Sequence, residues 1–132
     1  MIVPGVVFVQ GRNSYADADG VKYGIAIHNT SNSATAANEA AYATRRTDGV
    51  SSHFYVDKTT IIQSLDTAAR AGHAGSRIGN ENAICVEITG LNGWSRAQWL
   101  ANVPPEVVAD TINVPRELIE ALPKTKSPLQ RH

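Results

Sequence analysis

The segment 23–30 constrains the fold most strongly, because it has the pattern of a strand that ends beside an open space. Side chains alternate along a strand, so Ile25 and Ile27 share one face and His28 lies on the other. The other residues on the histidine face are glycine and alanine, which leave room beside the imidazole. Ligands of open sheets that carry helices bind beyond the carboxyl ends of the strands. The pattern therefore predicts a short buried strand with space for a ligand at its histidine.

The segment 83–88 repeats this design around a carboxylate. Its isoleucines and valine share one face, whereas Cys85 and Glu87 lie on the other. A carboxylate flanked by two branched apolar residues costs free energy unless it is paired or used. We therefore expect the two strands to be neighbours, so that His28 and Glu87 share one cleft.

Both polar residues of the second strand also have structural explanations. An ion pair with Arg70 or Arg77 would account for Glu87 without any catalytic role. Cys85 is explained as a small core residue. A nucleophilic Cys85 with His73 as its base is the catalytic alternative, but a thiol in the middle of an apolar strand does not ionise readily.

The rest of the chain predicts an α/β fold with a mixed central sheet flanked by helices. A length of 132 residues suits one domain, 1–132, with a substantial core. Helix caps are expected at 31–33 and at the capping box 95–98. The other expected elements are an edge strand at 5–9, a helix at 34–46 that ends in two arginines, a hairpin of 52–57 and 60–64, and a glycine-containing loop at 72–75.

Charge and terminal composition exclude several classes of partner. Lysine plus arginine equals aspartate plus glutamate, with 12 of each, so neither nucleic acid nor an anionic membrane surface is expected as a partner. The apolar start of the chain is interrupted by Pro4 and Gly5 and is too short for a signal peptide or a membrane span. We expect synthesis in the cytoplasm without an export signal.

Five short motifs follow one another in a fixed order. They are IAIHNT (25–30), SHFYVD (52–57), RAGHAG (70–75), GN (79–80) and ICVEITG (84–90). In this order they resemble the zinc-dependent N-acetylmuramoyl-L-alanine amidases of type 2, a family that includes phage endolysins, bacterial amidases and peptidoglycan recognition proteins. The resemblance covers about residues 20–100.

The resemblance implies hydrolysis of the amide bond between N-acetylmuramic acid and L-alanine in peptidoglycan. It implies dependence on Zn²⁺ and action on the cell wall after release, by phage lysis or by another route. We expect a monomer. His28 corresponds to a zinc ligand and Glu87 to the general base. The residues assigned to the substrate groove are His73, His53, Asn29 and Asn80. A purely structural role for His53 remains open. Ser52 stands where some members carry a catalytic tyrosine, and Gly72 stands where tryptophan is usual.

The carboxyl-terminal part departs from this family. Members supply two further zinc ligands after a long helix, whereas this chain carries Pro104, Pro105 and Pro115 there. His132 is the only later histidine and is assigned as the second zinc ligand, and no residue is left for the third. The chain resembles a family member that is truncated or altered after about Val103, with an atypical tail at 104–132. The alternatives are therefore a muropeptide-binding module with an incomplete zinc site, which does not cut, and a degenerate product without activity.

Overall fold

A computed structural model describes residues 1–17, 20–103 and 106. The strands are β1 (Val7–Phe8), β2 (Gly24–Asn29), β3 (Phe54–Val56), β4 (Ile61–Gln63) and β5 (Ala83–Ile88), and the helices are α1 (Ala36–Ala43), α2 (Arg77–Asn82) and α3 (Arg96–Asn102). No helix in this part of the chain is both long enough and apolar enough to cross a membrane. Apart from Glu106, the predicted tail at 104–132 lies outside the described residues, and so do its prolines.

The strands form one mixed sheet in the order β1-β4-β3-β5-β2. Only β3 and β4 run antiparallel, and they form the predicted hairpin. The pairs β1–β4, β3–β5 and β2–β5 are parallel. The α/β fold class, the edge position of β1 and the neighbouring positions of β2 and β5 are therefore confirmed.

Packing on the two faces of the sheet agrees with the expected layers. On one face, Phe54, Val56, Ile84 and Val86 form the largest apolar cluster, and Trp99 of α3 packs against it. On the other face, the buried alanines of α1 pack against side chains of β3 and β4. Alanine on this side of α1 lets the helix lie close to the sheet, so α1 forms one wall of the region above β5.

The strand β2 lies at the edge of the sheet, and the prediction that it is buried is wrong. Ile25 packs against the apolar cluster, but the side chain of Ile27 is 51% exposed. Alternation along a sequence identifies the two faces of a strand but not the number of its neighbours. Among the strands of the described residues, only β5 is hydrogen-bonded to β2.

The helix bounds differ from the predicted ones. Thr35, and not residues 31–33, caps α1, since its side chain accepts a hydrogen bond from Asn38 N. The helix ends at Ala43, so Arg45 and Arg46 lie beyond its last turn. The short helix α2 is an additional element, and its N-cap is Ser76, whose Oγ accepts the Gly79 N–H at 3.1 Å. The capping box of α3 is confirmed.

Asp57 joins the hairpin turn to the start of α1. Its carboxylate accepts hydrogen bonds from the backbone N–H groups of Ala36, Thr59 and Thr60, at 2.8–2.9 Å. Burial opposes ionisation, but these hydrogen bonds hold the pKa of Asp57 below its ordinary 3.8. The carboxylate therefore contributes stability above the pKa of the unfolded chain, and this contribution is lost as the pH falls through the lower folded-state pKa.

We expect Asp57→Ala to lower the free energy of unfolding by roughly 1–3 kcal/mol, because three N–H groups lose their acceptor. Urea denaturation near neutral pH measures this change, with Lys58→Ala, at the exposed neighbouring position, as the control. The difference between parent and variant should shrink once the pH falls below about 3.8. A difference that stays constant into acid would show that the charged form of Asp57 does not stabilise the turn.

Candidate active site

The parallel pairing of β2 with β5 brings the two predicted residues together. His28 and Glu87 are register partners at the carboxyl ends of these strands, and Ala26 lies opposite Cys85. Tyr55 is the partner of Glu87 on β3, so Glu87 is on the side of the sheet that α1 covers. The expected joining of the two small faces is therefore confirmed.

The carboxylate of Glu87 sits in an environment that disfavours its charge. Its Oε2 atom is buried and has no hydrogen-bond partner in the part of the chain that the structure describes. Burial, with a further contribution from Glu39, raises the pKa of Glu87 to about 7, and the charge of Arg46 opposes this rise. Arg77 pairs with Glu81 at 2.7 Å and not with Glu87. A carboxyl with a pKa near neutrality can both accept and return a proton.

Two neighbouring cavities share Val50 in their lining. The first, of about 200 Å³, contains Glu87 and Asn29. The second, of about 280 Å³, contains His73 and Asn80. A further cavity of about 290 Å³ at the start of α1 contains none of the predicted site residues. The predicted groove residues Asn29, His73 and Asn80 thus line two neighbouring depressions.

Hydrogen bonds from the backbone fix the loop that carries His73. Asn80 Oδ1 accepts the N–H groups of His73 and Ala74 at 3.0 and 2.7 Å, so Asn80 holds the loop as well as lining the cavity. A Cβ atom added at Gly72 would lie 2.3 Å from the carbonyl oxygen of Gly49. This close approach of the two backbone segments requires glycine at position 72.

Three possible metal donors converge where this loop meets the strands. His28 Nε2 and His73 Nδ1 are 3.2 Å apart, and the two rings meet edge to face at 69°. One nitrogen from each ring and the sulfur of Cys85 all lie within 4.8 Å of one another. Burial, followed by the neighbouring His28, lowers the pKa of His73 to about 4, which leaves a lone pair free for a metal. Imidazole and thiolate are donors that zinc accepts, so the residues present fit this ion.

Cys85 does not have the environment of a nucleophile. Its side chain has no exposed surface, and burial raises the pKa of its thiol to about 12. Ser52 Oγ lies 3.3 Å from its sulfur. A thiol buried in this way stays protonated, and a reaction with His73 as its base is not supported.

The prediction that His53 lines the substrate groove is wrong. Its side chain is fully buried, its Nδ1 accepts the backbone N–H of Cys85 at 3.0 Å, and its Nε2 donates to the carbonyl of Ala69 at 2.8 Å. Burial lowers its pKa to about 4, so the ring is neutral. His53 therefore ties β5 to the segment before the His73 loop. The other predicted metal ligand, His132, lies outside the described residues.

Several residues around Glu87 were not anticipated from the sequence. Glu39, Arg46 and Tyr55 line its cavity, next to Ser52, which the family resemblance had already singled out. The side of the sheet on which Tyr55 lies could have been inferred from the alternation of side chains along the hairpin strand. Glu39 and Arg46 could not, because their positions depend on how α1 crosses the sheet.

Comparison with known proteins gives a consistent result. The family model described as N-acetylmuramoyl-L-alanine amidase matches residues 20–123. The chain is 43% identical over 67 residues to N-acetylmuramoyl-L-alanine amidase CwlA of Bacillus subtilis, a match that covers 48% of this chain and 25% of CwlA. The chain therefore spans about a quarter of the length of this curated relative.

Solved structures agree with this assignment. A mutant endolysin from Bacillus subtilis superposes with a TM-score of 0.59 at 27% identity, over 90% of this chain and 94% of that chain. The structure of PlyL superposes with a TM-score of 0.66 at 23% identity, over 87% of this chain and 72% of that chain. The likeness to PlyL concerns the fold alone.

Proposed function

Because the chain belongs to the N-acetylmuramoyl-L-alanine amidase family, we propose that it hydrolyses the amide bond between N-acetylmuramic acid and L-alanine in peptidoglycan. The observation that supports this most strongly is the pairing of His28 with Glu87 at the ends of two parallel strands. The Oε2 atom of Glu87 is buried and has no hydrogen-bond partner among the described residues, and Glu87 lines a cavity that a ligand could enter. The substrate class follows from the family.

Glu87 acts first as a general base in this proposal. It takes a proton from the attacking water, whose oxygen adds to the carbonyl carbon of the lactyl group. The bond from this carbon to the alanine nitrogen then breaks, and Glu87 gives its proton to the departing nitrogen. The new lactyl carboxylic acid passes its proton to the released amine, so the products are a lactyl carboxylate and an L-alanine ammonium group, and no proton or electron is left over.

His28 would hold the zinc ion next to this carboxylate. Zinc, when bound, supplies a Lewis acid for the amide carbonyl and lowers the pKa of a water molecule to about 7. Asn29 would contact the substrate beside Glu87, and His73 with its loop would contact it in the second cavity. The role of Asn80 is to hold that loop in place through its side-chain oxygen.

Clearing of a suspension of purified cell walls tests this function against the binding alternative. We expect the metal-loaded chain to clear the walls, and we expect a chelator to stop clearing and added zinc to restore it. Sedimentation with the walls measures binding in the same samples. Binding without clearing under all metal conditions would favour the module that holds muropeptide without cutting it.

A further inference from the structure

We propose that His28, His73 and Cys85 together form the metal site of this chain, and that no ligand from residues 104–132 is needed. The proposal rests on the proposed function in one respect, namely that this metal serves the hydrolysis by Glu87. It assigns His73 to the metal as a ligand and gives the buried cysteine a chemical role. The donors come from the end of β2, the loop after β4 and the middle of β5.

The spacing of the two imidazoles agrees with a shared metal ion. Two nitrogen ligands at about 2.0–2.1 Å from a tetrahedral zinc ion lie about 3.3–3.4 Å apart. His28 Nε2 and His73 Nδ1 are 3.2 Å apart. The loop that carries His73 is anchored through Asn80 Oδ1, so this approach is fixed by the backbone of the loop.

The register of β2 and β5 brings the sulfur to the same place. Cys85 lies two residues before Glu87 and therefore on the same face of β5. Its register partner on β2 is Ala26, whose small side chain leaves space beneath His28. The three donor atoms lie within 4.8 Å of one another, so small side-chain movements suffice to bring all of them to one ion.

Metal binding at this site must release one proton. The Cys85 thiol loses its proton to solvent as the sulfur–metal bond forms, because a coordinating thiol is deprotonated. Ser52 Oγ, at 3.3 Å from the sulfur, can then donate a hydrogen bond to the thiolate. Partners of this kind orient a ligand and tune the metal. Two imidazoles and one thiolate leave a fourth position open for water, as in catalytic zinc sites.

Cobalt(II) binding to the purified full chain tests the ligand set without any measurement of activity. We expect one equivalent of cobalt to bind and to produce a thiolate-to-cobalt charge-transfer band in the near ultraviolet. Loss of a group that only hydrogen-bonds to a metal ligand already weakens metal binding by about 10–100-fold. We therefore expect Cys85→Ala and His73→Ala each to weaken cobalt and zinc binding by about 100-fold or more, and Cys85→Ala to abolish the band.

His132→Ala is the matched control, because it removes the histidine that the sequence assigned to the metal. Its cobalt affinity and spectrum should equal those of the parent. Circular dichroism checks the fold of each variant, and Cys85→Ser replaces Cys85→Ala if the latter does not fold. Absence of the charge-transfer band in the cobalt-loaded parent overturns the proposal, and so does a folded Cys85 variant with unchanged affinity.

The outcomes also separate this proposal from the proposed function. A parent that binds cobalt through its thiolate but never cuts peptidoglycan would support the metal site and refute the hydrolysis. A parent that cuts peptidoglycan and binds cobalt without a thiolate band would refute this ligand set and leave the hydrolysis standing.

Discussion

Glu87→Gln should reduce kcat/KM for muramoyl–alanine hydrolysis by about 10²–10⁴-fold, the range that a general base contributes. Glutamine has nearly the same shape but cannot take a proton from water. Because ionisation of the half-buried Glu87 costs stability as the pH rises through about 7, the metal-free variant should be at least as stable as the parent above that pH. Affinity for muropeptide should be almost unchanged.

Glu81→Gln is the control for this experiment. Glu81 is a carboxylate in α2 that pairs with Arg77 and lines neither of the two cavities beside Val50. Its replacement should leave both the rate and the affinity close to those of the parent. A Glu87→Gln protein that hydrolyses muropeptide within a few-fold of the parent rate would remove Glu87 from the proposed chemistry.

His53→Ala should lower the free energy of unfolding by about 3 kcal/mol or more. The change leaves the N–H of Cys85 and the carbonyl of Ala69 buried without their partners, and each such loss costs about 1–3 kcal/mol. The missing ring also leaves a cavity, which adds to this cost. Thermal and urea unfolding measure the effect, with the exposed Lys58→Ala as the reference.

The same variant separates a structural role of His53 from a role in the groove. If His53 touched the substrate, the His53→Ala protein would bind muropeptide more weakly, and its melting temperature would change little. We expect the reverse, because the side chain has no exposed surface. Unchanged stability together with weaker muropeptide binding would show that His53 contacts the substrate in the groove.

The pairing of His28 with Glu87 could be predicted because it depends on local patterns. Alternation placed each residue on the small face of its strand, and two short strands with matching small faces are natural neighbours in a sheet. The hairpin turn at Asp57 and the capping box of α3 were predictable for the same reason, since turn and cap residues act on their own backbone.

The parts that could not be predicted depend on distant contacts. The alternation of side chains along a strand does not show whether the strand has one neighbour or two. The edge position of β2 was therefore not predicted. Nothing in the local sequence of His53 reveals that its ring bonds to β5 on one side and Ala69 on the other. The approach of His73 to Cys85 depends on the anchor that Asn80 provides for the loop, which only the folded chain contains.

Hydrolysis of a soluble muramoyl peptide in isotopically labelled water tests the central claim most directly. The account predicts that the metal-loaded parent converts it to N-acetylmuramic acid and a peptide with a free L-alanine amine. Mass spectrometry should find one labelled oxygen in the lactyl carboxylate of the sugar and none in the peptide. An intact substrate after prolonged incubation with folded, metal-loaded protein, or a label at any other bond, would contradict the account.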